Sequence, residues 1–447
     1  MKILPLATEI VIFTGIVLVL IFLIFSKKAL YFYLIAVFSH IIGISLELYL
    51  LKKQIFTDFY FLYFSQETRI FALVVIFASL FSLLIFWSYT KKEVLNKEIP
   101  FLLLNSLLSM ILMVRSNNLF FTFLALEYLS FSIYIMIASF KRIGFPYESA
   151  LKYFVLGSFA SLLMLFGIFL LYLDRGGLSY STLGEGGINS LVILALLFLF
   201  TGFAFKLAFV PFHIWTPDVF AGTPFPFISF ISTVPKVSVF GFLFIISKKL
   251  NLNFLNIVII SILTMFLGNL SALLEKNIKK IFAFSSIAHS GYILLIFISR
   301  SRTVFDALVF YLITYSIMQM GALLCLQQLD RENLTLDSLK EKGSLLLFFF
   351  SVIFLLSLTG IPPTAGFYAK FYIFSIPLLE GYNFAVFLAF LNSVISAYYY
   401  LRMSVAIFQV KEKDKPIKKF PLLIISVLFF LVILLGVYPS FINILLK

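Results

Sequence analysis

The chain is poor in charge, cysteine, histidine and polar linkers. Asp, Glu, Lys and Arg make up 12% of its 447 residues, against roughly 25% in soluble domains, which excludes an ordinary water-exposed globular surface. One cysteine, Cys325, excludes a disulfide framework and any cysteine-built zinc or iron–sulfur site. Three histidines, His40, His213 and His289, stand too far apart for a metal-ligand pattern. No nucleotide-binding glycine loop and no nucleophile constellation is present.

What the chain has is apolar. Hydrophobic residues are 62% of it, 59 of them phenylalanine, and mean hydropathy is +1.10. This is the composition of an integral membrane protein. A formal charge of +14 would suggest a nucleic-acid partner in a soluble protein. Here the basic residues sit mostly in short connectors, so they report topology, and no nucleic acid is expected. The first apolar run lacks a basic front and a small-residue cleavage motif, and is too long for a signal-peptide core, so it reads as a retained helix.

Apolar runs between polar breaks predict an all-α membrane protein of about fourteen spans, near 5–26, 29–51, 70–90, 100–114, 118–140, 148–173, 190–222, 224–247, 252–274, 279–299, 303–328, 345–378, 384–409 and 420–445. Two of them, 190–222 and 345–378, are too long for one straight crossing. Both contain proline: Pro211 and Pro217 in the first, Pro362, Pro363 and Pro377 in the second. Short connectors imply one polytopic domain. Alternate connectors carry Lys27/Lys28, Lys91/Lys92/Lys97, Lys141/Arg142, Lys276/Lys279/Lys280, Arg331/Lys340/Lys342 and the run from Lys411 to Lys419. The positive-inside rule puts this set in the cytoplasm and both termini outside. Lys52/Lys53, Lys248/Lys249 and Arg300/Arg302 run against that bias.

An internal echo accompanies the broken spans. "GFAFK" at 202–206 recurs as "GFYAK" at 366–370, five spans apart, so the copies cross the membrane in opposite senses. Interrupted segments in two inverted halves point to an ion path. Ionisable residues lie at membrane depth in and around these segments: Glu127, Glu148, Lys152, Lys206, Lys236 and Lys370. A lysine or an aspartate at a helix centre costs roughly 2.5–3.5 kcal/mol. For Glu127 a structural pair with a lysine competes with a functional role. Lys206 precedes Pro211, which leaves the carbonyl of Leu207 without its helical donor, and the combination reads as a hydrated site. Pro235, next to Lys236, similarly frees the carbonyl of Ile231. Glu148 and Lys152 have the spacing of a same-helix ion pair, as easily structural as functional. His213 and His289 either relay protons or bond a neighbour. Lysine stripped of water releases its proton more readily, and an approaching carboxylate reverses this. A file of Glu and Lys along the midplane is therefore a switchable proton carrier.

The stretches "LALEYLSFSIYIM" (124–136), "ESALKYFVLGSFASLLMLFG" (148–167), "GFAFKLAFVPFHIWTPDVFAGTPFP" (202–226), "GNLSALLEKNIKKIFAFSSIAHSGY" (268–292) and "LLSLTGIPPTAGFYAKFYIF" (355–374) carry a resemblance. The chain resembles the antiporter-like membrane subunits of respiratory complex I, the proton-translocating NADH:quinone oxidoreductase, and is most similar to the subunit N (subunit 2) branch. The "FHIWTPDVF" loop has the subunit N form. Lys370 stands where subunit M usually has glutamate, and the lateral helix of subunit L does not follow the fourteenth span.

The resemblance implies fourteen helices with two inverted five-helix repeats, each containing a broken helix. It divides the chain into three N-terminal helices (1–98), a first repeat (99–250), a second repeat (251–410) and a C-terminal helix (411–447). It implies that Glu127, Lys206, Lys236 and Lys370 translocate protons, with Glu148, Lys152, His213 and His289 as relay or pairing residues, driven by quinone reduction elsewhere in the complex. No cofactor or metal is expected on this chain. NADH, FMN, iron–sulfur clusters and quinone belong on other subunits. Subunits M and K and the lipid bilayer are the expected partners, in the cell inner (plasma) membrane. Three rivals are a subunit of a multisubunit cation/proton antiporter, which shares this fold, a purely structural subunit with no proton path, and a relative of complex I that takes electrons from ferredoxin or another donor.

Overall fold

The computed structural model describes residues 4–26, 28–89, 97–140, 146–185, 187, 189–250, 257–329, 334–340, 344–408 and 418–440. Of the basic residues read for topology, Lys27, Lys91, Lys92, Lys141, Arg142, Arg331, Lys342 and those between 411 and 417 lie outside them, as do the side chains of Lys249 and Lys340.

Over its described residues each predicted run is helical, apart from the breaks in the two overlong ones. The elements in order are α1 (Ala7–Phe25), α2 (Ala29–Lys52), a two-stranded hairpin of β1 (Asp58–Phe59) and β2 (Leu62–Tyr63), α3 (Gln66–Ser88), α4 (Ile99–Arg115), α5 (Leu119–Ser139), α6 (Pro146–Arg175), the short α7 (Tyr180–Gly184), α8 (Ser190–Leu207) and α9 (Trp215–Gly222). There follow α10 (Phe225–Leu250), α11 (Ile257–Leu274), α12 (Ile278–Leu295), α13 (Val304–Gln327), α14 (Leu345–Thr359), α15 (Ala365–Leu379), α16 (Asn383–Phe408) and α17 (Lys419–Val437). Among the described residues twelve helices are long and apolar enough to cross a bilayer, and α4, α14 and α15 are shorter apolar helices. The hairpin is the departure from an all-helical reading. Its strands have two residues each, too few to show a period-two pattern in sequence.

Polar residues at the run boundaries start the helices. Ser65 and Thr68 form a reciprocal capping box at the start of α3, Asn118 accepts from the amides of Phe120 and Phe121 at α5, and Asn277 does the same for Lys279 and Lys280 at α12.

The chain forms two compact units. The first holds α1 to α8 and the part of α10 from Val234 onward. In it α1, α2 and α3 pack in sequence, α1 and α3 both meet α4, and α5, α6 and α8 follow side by side. The second takes Ala208–Thr233, which includes α9, together with α11 to α17. Here α12 packs on α9 and α11, α13 on α14, α15 and α17, and α16 on α11 and α14.

Both overlong spans break at their prolines. In the first, Ala208 follows α8 with a left-handed φ of 57°, and three residues on the Val210–Pro211 bond is cis. In the second, Gly360 follows α14 with φ 93°, and three residues on the Pro362–Pro363 bond is cis. The breaks therefore match residue for residue, Ala208 with Gly360 and Pro211 with Pro363. The lysines do not. Lys206 ends the half before its break, whereas Lys370 lies in the half after. The GFxxK echo is displaced by half a broken helix from the structural correspondence.

Candidate functional site: buried lysines and their neutral partners

In the first unit, Lys206 sits in the last turn of α8 and is 5% exposed. An aromatic cage surrounds it. Its ammonium donates to the Tyr153 hydroxyl at 3.1 Å and lies 5.0 Å from the ring centre of Tyr153, 5.6 Å from Phe205 and 5.9 Å from Tyr134. Ring faces replace part of the lost hydration, at about 2 kcal/mol or more for a desolvated cation. Gly157 lets the cage close. A Cβ there would stand 2.5 Å from the Tyr134 hydroxyl and 3.2 Å from the Phe205 ring.

Glu127, on α5, is half-buried, and the Ser161 hydroxyl of α6 donates to its carboxylate. No ion pair joins it to Lys206 among the described residues. Lys236 is 3% exposed in α10, which runs through Pro235 without a break. On α6, Glu148 and Lys152 pair at 2.7 Å with side chains 59% and 42% exposed. They form a same-helix pair that is substantially exposed.

The second unit holds His213, Lys370 and His289. His213 lies half-buried in the first break. Lys370 bridges the second break. Its ammonium donates to the carbonyl of Thr359, the last residue of α14, at 2.7 Å, and to the Ser393 hydroxyl of α16 at 2.9 Å. It also stands 5.2 Å from the ring centre of Tyr292. A cation on a helix C-terminus is well placed both for the orphan carbonyl and for the helix dipole.

His289 is 1% exposed. Its Nδ1 lies 2.7 Å from the Tyr311 hydroxyl and its Nε2 3.3 Å from that of Tyr400, which also bonds Ser285. Beside it, the Asn269 amide donates to Tyr292 at 2.9 Å and accepts from Tyr399 at 3.1 Å. Lys370 and His289 thus border one polar seam of α11, α12, α13 and α16. Asn269, Tyr292, Tyr311, Ser393, Tyr399 and Tyr400 were not read from the sequence. The six hydroxyl or amide residues within "LNSVISAYYY" (391–400), three of which join the seam, are its visible sign.

Two further sets of buried charge escaped the sequence reading. Lys279 was taken as a connector charge, but it is 2% exposed and donates to the Thr223 carbonyl at the end of α9 at 2.7 Å. At the other end of the chain, Arg115 pairs with Glu9 and Glu47, and Arg69 pairs with Glu47 at 3.2 Å. Both guanidinium groups lie over the Phe64 ring, at 4.9 and 5.1 Å.

Comparison with known proteins fits this geometry. The family described as "NADH:quinone oxidoreductase/Mrp antiporter, TM" matches residues 116–396, which defines the chain as an antiporter-like membrane subunit. NADH-quinone oxidoreductase subunit N 2 of Thermodesulfovibrio yellowstonii is 40% identical over 319 residues, 70% of each chain. A chain of respiratory complex I from Thermus thermophilus with bound aureothin superposes with TM-score 0.84 at 28% identity, covering 97% of both chains. A chain of the Mrp complex from a Dietzia species shares the fold, with TM-score 0.87, at 16% identity over 100% of this chain and 95% of its own. The fold alone is common to complex I and the cation antiporters, so it does not choose between them. Sequence identity does: the chain belongs to the subunit N family of NADH-quinone oxidoreductase, the membrane subunits of that enzyme complex.

Proposed function

We propose that this chain translocates protons across the membrane through Glu127, Lys206, Lys236 and Lys370, driven by quinone reduction elsewhere in the complex. The observation that carries this is how the lysines are held. Lys206 rests on a hydroxyl and three rings, and Lys370 on a carbonyl, a hydroxyl and a ring. Among the described residues no carboxylate in contact fixes either charge, so each group can gain or lose a proton without breaking an ion pair. Glu127, on the same helix as Tyr134 of the Lys206 cage and not bonded to the ammonium among the described residues, is placed to bias that exchange. His213 and His289 are relay candidates, and Glu148 with Lys152 a pairing site. The matching breaks support two inverted five-helix repeats within fourteen spans, over the boundaries 1–98, 99–250, 251–410 and 411–447. NADH, FMN, iron–sulfur clusters and quinone are then bound by other subunits, and subunits M and K are the neighbours. Both termini lie on the non-cytoplasmic side of the plasma membrane.

The test is Glu127→Gln, which removes charge at nearly constant volume, beside Glu127→Asp, which keeps it with a shorter reach. Proton uptake and quinone reduction are measured in membranes whose complex is checked on native gels, with terminal tags probed from each side. Gln should lower uptake at least several-fold and Asp retain part of it. Full uptake with Gln in an assembled complex would refute the role of Glu127, and tags reached only from the cytoplasm would refute the topology.

A further inference from the structure

α5 and α12 start in the same way. In the first unit the Leu119 amide donates to the Leu178 carbonyl at 2.9 Å and the Tyr180 amide to the Asn117 carbonyl at 3.2 Å. Asn118 and Ser179 stand opposed between them as an antiparallel bridge. In the second unit the Ile278 amide donates to the Leu334 carbonyl at 3.0 Å and the Leu336 amide to the Lys276 carbonyl at 3.1 Å, with Asn277 and Thr335 opposed. The match extends outward from both bridges. Asn118 and Asn277 each cap a long helix by accepting from its second and third amides. Ser179 and Thr335 each accept from the amide three residues on, that of Thr182 and of Ser338. Each so opens a short helix, α7 in the first unit and the turn Ser338–Lys340 in the second.

The first amides of a helix have no helical acceptor. Here the asparagine takes the second and third, and the bridge takes the first. Water at a membrane surface satisfies such an amide as well, so the bridge adds something else, a fixed link between segments distant in sequence. Apolar contact between helices is non-directional, whereas a pair of hydrogen bonds sets the height of one segment against another. In the first unit the link joins the helix of Glu127 to the connector entering α8, which ends at Lys206. In the second it joins the helix of His289 to the connector entering α14, whose last carbonyl holds Lys370. We propose that the amides of Leu119 and Ile278 are positioning groups for proton transfer, holding α5 in register with α8 and α12 in register with α14. The two clasps stand on their backbone hydrogen bonds. Their bearing on proton transfer rests on the function proposed above.

Proline at the first helical position tests this, because its ring fixes a helical φ and removes only the amide hydrogen. The residue before a proline must be extended, and Asn118 and Asn277, with ψ of 133° and 120°, already are. Leu119 and Ile278 are 0% exposed, so Leu119→Ala and Ile278→Ala, which keep the amide and shorten the side chain, are the controls. Leu336→Pro, beside Leu336→Ala, breaks the other bond of the second clasp outside the long helices. It keeps the comparison open where a proline at a helix start lowers assembly. Proton uptake is measured per assembled complex, with the amount of complex read on native gels. Each proline variant should take up protons about fivefold more slowly per complex than its alanine control, the weight of one hydrogen bond. Uptake per complex equal to the controls, whatever the amount assembled, would overturn the positioning role and leave the clasps to the fold alone. Low uptake in Glu127→Gln beside that result leaves the proposed path standing without the clasps. Full uptake in Glu127→Gln removes the path that they would serve.

Discussion

Lys206 places an ammonium where water is scarce, and its surroundings supply two substitutes of different kinds. The Tyr153 hydroxyl accepts a hydrogen bond and the rings of Tyr134, Tyr153 and Phe205 face the charge. Hydrogen bonds to charged groups contribute about 1.5–3 kcal/mol, and desolvated cation–π contacts about 2 kcal/mol. Tyr153→Phe removes the first and keeps the second, so the complex should assemble while proton uptake falls several-fold. Tyr153→Leu removes both, and assembled complex should fall as well. Equal behaviour of the two variants on native gels and in uptake would show that the ring contributes nothing. The lysine itself was legible because a charge inside an apolar run stands out. The cage was not. Its rings come from α5, α6 and α8, in a chain with 59 phenylalanines and 22 tyrosines, and nothing local marks which of them converge.

At the scale of elements, the breaks were legible from proline, but their alignment was not. The sequence pairs Lys206 with Lys370 through a five-residue echo, while the backbone pairs Ala208 with Gly360 and Pro211 with Pro363. Helix ends are set by where hydrogen bonding stops, and a short motif carries no information about that. The echoed glycines have a common physical role nonetheless, that of close approach. The amide of Gly366 bonds the Ser357 hydroxyl at 3.2 Å, and a Cβ on Gly366 would stand 1.7 Å from the Ser357 carbonyl oxygen. That oxygen is backbone near the end of α14, so α15 would have to move, and with it the ammonium of Lys370 on Thr359. Gly366→Ala should therefore reduce assembled complex severely, as overpacking against backbone does. Wild-type amounts on a native gel would show that the two half-helices slide freely.

At the scale of the molecule, Glu9 lies at the start of α1, Glu47 near the end of α2, Arg69 at the start of α3 and Arg115 at the end of α4. Four helices that alternate in direction thus bring two acids and two bases to one end of the first unit. Trimming the apolar runs to 70–90 and 100–114 placed both arginines just outside the predicted spans, which is why the set was missed. Its charges balance, and both guanidinium groups rest over the Phe64 ring. Removing one member of a buried ionic set costs about 3–5 kcal/mol, chiefly because the others keep their charge without compensation. Glu47→Gln leaves Arg69 and Arg115 with only Glu9, and should lower the amount of complex in the membrane. Adding Arg69→Gln to it leaves one acid and one base, Glu9 and Arg115, which already pair. The double variant should therefore recover much of the loss, with proton uptake per assembled complex unchanged throughout, because no member of the set belongs to the proposed path. Native-gel quantification of the three forms decides it. A double variant no better than Glu47→Gln would mean that the individual contacts of Arg69, and not the balance of charge, hold α1 to α4 together.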